Sequence, residues 1–81
     1  MYRLITADGK ITEKQRMTLK QMQEFVGGYV EQWRNILCNE DGLRLKLPRN
    51  SIDPRFVGNI IEEFIIVPYN DIHKNRMEVN K

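Results

Sequence analysis

The sequence predicts an α+β domain: a small antiparallel sheet in the order β-β-α-β-β-short helical turn-β, with one main helix packed on one face. Three stretches carry that prediction. Residues 18–31, TLKQMQEFVGGYVE, read as a short amphipathic helix that runs into a glycine pair and emerges as a strand. Before it, Ala7-Asp8-Gly9-Lys10 is a turn between two extended segments. After it, Asn39-Glu40-Asp41-Gly42 leads into the alternating LRLKL of residues 43–47.

Taken in order, residues 2–6 are rich in β-formers, and Gly9 supplies the positive φ of a tight hairpin that returns as a polar edge strand over 11–15. Residues 17–26 form the helix. Thr18 is placed as N-cap and Gln21 completes a capping box, with Met17 and Met22 at the two ends of a hydrophobic staple. Leu19, Met22 and Val26 make the stripe that faces the sheet, flanked by Phe25. Gly27-Gly28 caps the helix and turns the backbone; a phosphate cradle of this kind would precede a helix, whereas this pair follows one.

Residues 29–38 read as one long strand, with Tyr29, Glu31, Trp33 and Leu37 on one face and Val30, Ile36 and Cys38 on the other. A hairpin turn over 39–42, with Gly42 left-handed, then leads to a strand whose leucines 43, 45 and 47 face the core and whose Arg44 and Lys46 face away. Pro48 ends it. Residues 53–58 look like one helical turn with Asp53 as N-cap, Pro54 at N1 and Gly58 closing it. The apolar residues 60–67 supply the last strand, with its buried part at 64–67, and Pro68 stops it. The domain thus spans 1–68, and 69–81 is a polar C-terminal tail.

The chain has 81 residues, a single domain able to bury about 60–65% of its unfolded surface. Its net charge of +2 is too small to announce a nucleic-acid or membrane partner, so any electrostatic function must come from local clustering. The single cysteine, Cys38, rules out an internal disulfide or a cysteine-based zinc site and suits a reducing compartment. No apolar run approaches the ~18 residues of a membrane span, and Arg3, Asp8 and Lys10 interrupt any signal peptide, so the expected setting is cytoplasmic, with no membrane partner.

The run of an ADG turn, LKQMQEFVGGYVE, the CNEDG turn, LRLKLPRN and a closing apolar strand resembles the DUF3846 family of small domains of unknown function. In that family a V-G-G-Y-I-E-like run ends the helix and is followed by an N-E-E-G-like turn, then L-P-x-N. The resemblance covers residues 1–68. It implies a source among bacteria, phages or other mobile elements, and it implies no activity.

Catalysis has little support in the residues. His73, the only histidine, lies in the tail away from any apolar frame; Cys38 reads as a small buried hydrophobe; Glu62 and Glu63 are adjacent and point to opposite faces of a strand. No catalytic, cofactor or metal site is expected. The basic cluster is more informative. Arg44, Lys46, Arg49, Asn50 and Arg55 form a candidate face for an anionic small molecule, such as a nucleotide, or for a nucleic-acid backbone. Tyr29 and Trp33 are candidates for stacking or for contact with a partner. Two functions follow. One is a non-enzymatic protein that sequesters an anionic ligand; the other is an inhibitor or adaptor that binds a host protein through a sheet edge and the tail, for example in counter-defence. A homodimer is compatible with either.

Overall fold

A computed structural model of the chain describes residues 1–64. The first hairpin forms as its turn chemistry dictates: β1 (Tyr2–Ile5) pairs with β2 (Ile11–Lys14), and Gly9 takes φ 98°. The Thr6 amide donates to the Lys10 carbonyl at 2.9 Å across that turn. β2 is a sheet edge whose four residues are all exposed, in keeping with its polar sequence.

The helix α1 (Leu19–Val26) starts with the reciprocal pair that residues 18 and 21 encode. The Thr18 hydroxyl accepts from the Gln21 amide at 3.1 Å, and the Gln21 side chain accepts from the Thr18 amide at 2.9 Å. Gly27 ends it at φ 85°, donating to the Gln23 carbonyl at 2.8 Å. Leu19, expected on the buried stripe, is 63% exposed instead. The helix packs by its later turns, through Met22, Phe25 and Val26.

The chain after Gly28 differs from the long strand expected over 29–38. It folds back on itself as a second hairpin, β3 (Val30–Trp33) and β4 (Ile36–Asn39), with Trp33 paired to Ile36. The two intervening residues reverse the chain without a glycine, because Arg34 adopts φ 55°. The reversal also changes which residues share a face: Leu37 joins Val30, while Ile36 and Cys38 join Trp33 and Glu31.

Residues 43–47 are a compact succession of turns, where a strand was expected. The Leu45 amide reaches the Asp41 carbonyl at 2.8 Å and the Leu47 amide reaches that of Gly42 at 3.1 Å, while Lys46 sits at φ 57°. Gly42 does not take the left-handed conformation expected of it. Leu43 and Leu45 are exposed rather than core. The place beside β4 goes to β5 (Ile60–Glu63), which begins earlier than the 64–67 expected for the buried strand. That position is covered on both faces, so it takes consecutive apolar residues such as Ile60 and Ile61; a leucine–lysine alternation would bury a charge there. Residues 53–58 make a turn, with the Phe56 amide on the Asp53 carbonyl at 3.1 Å, but no helix.

Among the described residues the result is a five-stranded antiparallel sheet ordered β2-β1-β5-β4-β3 with one helix, so the α+β class holds, while the strand expected at 43–47 and the helical turn expected at 53–58 are replaced by turns. The two isoleucines of β5 are fully buried on opposite faces and contribute about 1.5–3 kcal/mol each. On the helix face Ile61 joins Val26 and Leu37; on the other, Ile60 joins Ile5 and Ile36, roofed by Phe56 from the long β4–β5 connection. The predicted tail, 69–81, and the predicted strand residues beyond 64 lie outside the described residues.

Candidate functional site

The connection from β4 to β5 crosses the sheet face that the helix leaves open, and a buried amide fixes it there. Asn50 is fully buried; its Nδ2 donates to the carbonyls of Ile5 and Thr6, both at 3.3 Å, and of Gly58 at 3.0 Å, and its Oδ1 accepts from the amides of Ile52 and Asp53 at 3.0 Å. Two glycines allow the loop to close on itself: a Cβ at Gly42 would lie 2.7 Å from Val57 Cγ2, and one at Gly58, which has φ 76°, 2.8 Å from Leu47 Cδ1. Two further asparagines hold the neighbouring elements. Asn39 donates to the Val26 carbonyl at 3.0 Å, and Asn59 bridges the Phe25 carbonyl and the Ala7 amide at 3.1 and 2.9 Å.

Between this loop and the β3–β4 hairpin lies a cleft of about 400 Å³. Its apolar lining is Trp33, Cys38, Leu43, Phe56 and Val57, and its charged lining is Glu31 and Glu40 together with Arg49 and Arg55. The volume falls in the ~300–1,000 Å³ range of small-molecule sites. Phe56 meets Trp33 edge-to-face with ring centres 5.8 Å apart. Two guanidinium groups lie over the Trp33 ring, Arg34 at 4.8 Å and Arg55 at 5.1 Å.

The charges are unequally engaged. Arg55 holds Asp53 in a two-point pair, Nε to Oδ1 at 2.8 Å and Nη2 to Oδ2 at 2.6 Å, and these hydrogen bonds keep Asp53 below the usual carboxylate range. Among the described residues the Arg49 guanidinium donates only to the Pro54 carbonyl, at 2.6 Å, and Arg49 is exposed. Among the described residues neither Glu31 nor Glu40 is in an ion pair. At the floor, burial and then the Glu31 charge push the Cys38 thiol up, so it stays protonated near neutral pH.

Of the predicted face, the fold brings Arg49, Arg55 and Trp33 together. It does not bring the others. Arg44 and Lys46 are exposed outside the cleft, and Arg44 pairs with Asp41 at 3.3 Å. Asn50 is withdrawn from ligand contact because burial and five hydrogen bonds consume its amide. Tyr29 is 70% exposed and does not line the cleft. Glu31, Arg34 and Phe56 were not anticipated. A guanidinium next to a tryptophan is the local signal for Arg34; for Glu31 the signal was its period-two relation to Trp33.

Among the described residues, a five-stranded antiparallel sheet with one helix on one face and a loop-roofed cleft on the other defines a small α+β domain. A family model described as "Domain of unknown function (DUF3846)" matches residues 1–80. The chain belongs to the DUF3846 family, and the match runs past residue 68, where the sequence resemblance stopped. No curated protein and no solved structure matches the chain.

Proposed function

We propose that this protein is a small, non-enzymatic, cytoplasmic binding module that sequesters an anionic ligand carrying an aromatic ring, a nucleotide in chemical terms, in the cleft between the β3–β4 hairpin and the β4–β5 loop. One observation carries the reading: Trp33 and Phe56 share a single cleft with Arg49, whose guanidinium has no carboxylate partner among the described residues, and with Arg55. Aromatic faces beside guanidinium forks fit a base and its phosphate at once.

Trp33 is the chain's only tryptophan, so its fluorescence reports the cleft directly. Titration with nucleoside monophosphates is expected to shift that emission with saturation, and Arg49→Ala to weaken binding about tenfold or more, as for loss of a charge-assisted contact. Absence of any shift, or equal affinity in Arg49→Ala, would overturn the reading.

Leu43 and Leu45, 79% and 50% exposed on the turns after Gly42, favour a second reading as an inhibitor or adaptor of a host protein, as in counter-defence. Native mass spectrometry of protein purified from its own host separates the two: a bound small-molecule mass supports the cleft reading, and a stoichiometric protein complex lost in Leu43→Ser/Leu45→Ser supports the adaptor.

A further inference from the structure

The cleft is polar along its length, and the strand register sets the direction. At the β3–β4 turn, Arg34 and Arg55 crowd Trp33. Two residues back along the same face stands Glu31, paired with Cys38, and beyond it Glu40, whose amide bonds the Tyr29 carbonyl at 2.8 Å. Arg34, which lies beside the cleft, and Arg55, which also holds Asp53, therefore stand at the Trp33 end, and Glu31 and Glu40 stand toward the other; Arg49, whose backbone pairs with Val57, and the side chains of Cys38, Leu43 and Val57 complete the lining. Glu31 stands on a strand rather than in a turn, and its charge acts on the Cys38 thiol at the cleft floor.

A ligand that matches this gradient carries an anion at one end and N–H donors at the other. A carboxylate is acceptor-only and takes two N–H groups side by side. Guanine presents such a pair, N1–H beside N2–H. Adenine and cytosine offer one amino group next to an acceptor nitrogen that a carboxylate repels, and uracil offers a lone N–H between two carbonyls. We infer that the ligand is a guanine nucleotide, its phosphate held at Arg34, Arg49 and Arg55 and its N1–H and N2–H edge read by Glu31. The inference rests on the cleft reading above and adds the identity of the base and two residues, Arg34 and Glu31.

The test is titration of the full chain with GMP, AMP, UMP and guanosine, read by Trp33 emission, for the wild type, Arg34→Ala and Glu31→Gln. Glu31 is exposed on an edge strand, so the glutamine variant keeps the fold, which circular dichroism checks. GMP is expected to bind about tenfold or more tighter than AMP or UMP, the discrimination of one good two-point contact. It should also exceed guanosine, and Arg34→Ala should reduce that phosphate gain. In Glu31→Gln the preference for GMP over AMP should collapse to about threefold or less. Equal binding of all three monophosphates would overturn the inference while leaving the cleft reading intact, as would a guanine preference that survives in Glu31→Gln. No binding of any nucleotide would overturn both.

Discussion

Asn50 spends every hydrogen-bonding position of its amide on backbone from three places, the end of β1, the β4–β5 loop and the approach to β5. Asn50→Ala removes all five of these hydrogen bonds, and although the Thr6 carbonyl keeps the Gly9 amide at 3.0 Å, the Gly58 carbonyl and the Ile52 and Asp53 amides lose this partner. It is expected to destabilise the domain by about 2–4 kcal/mol in urea unfolding and to open the cleft with it. Asp53 governs acid sensitivity at the same loop. Its folded pKa is depressed by the Arg55 hydrogen bonds, so the stability it supplies is complete above the unfolded carboxylate range near pH 4 and is lost as pH falls through the folded value. Thermal melts between pH 6 and pH 2 should therefore show a smaller acid-side decline in Asp53→Asn than in the wild type. Cys38, protonated and half-buried on the cleft floor, should alkylate more slowly than a free thiol at pH 7.5, and more slowly still with nucleotide bound.

The elements that were legible in the sequence are those whose signals are local. The capping box of α1, the Gly27 cap and the Gly9 turn follow from residues within a few positions of each other, and each has its expected geometry. Thr18→Ala should accordingly cost about 1 kcal/mol, measured by the urea midpoint. The β3–β4 hairpin was invisible because its turn uses Arg34 and Asn35, whereas the residues that advertise turns, Asn39 to Gly42, begin a loop rather than a hairpin. The alternation of residues 43–47 misled for a related reason: period two gives a face only if a neighbouring strand is free to pair, and β5 occupies that place. The basic residues 44–55 are close together in sequence, but their partition into cleft and periphery depends on the path of the loop, which no local period encodes. Non-glycine residues at positive φ leave a recoverable strain. Lys46→Gly, at an exposed position outside the cleft, should raise the urea midpoint by the equivalent of about 0.5–1 kcal/mol or leave it unchanged through added chain entropy, whereas a loss above about 1 kcal/mol would show that Lys46 is held in place by more than its backbone.

At the scale of the molecule, the two hairpins, separated in sequence by α1, are united into one sheet by β5, which lies between β1 and β4 and brings partners such as Arg3 and Glu62 together from 59 positions apart. A chain ended at Asn59 lacks that strand, and it is expected to show no cooperative unfolding transition by circular dichroism, although each hairpin and α1 remain encoded in full. The cleft should vanish with it, since Phe56 then loses Ile60, the central residue of the cluster beneath it. The central position of β5 also sets an order in time. On the ribosome both half-sheets emerge before the strand that unites them, and through that interval β1 and β4 each carry an unsatisfied edge toward the vacant middle. The interval during synthesis in which this protein is most exposed to mispairing therefore closes only with the arrival of four residues, Ile60–Glu63, near the end of the described chain.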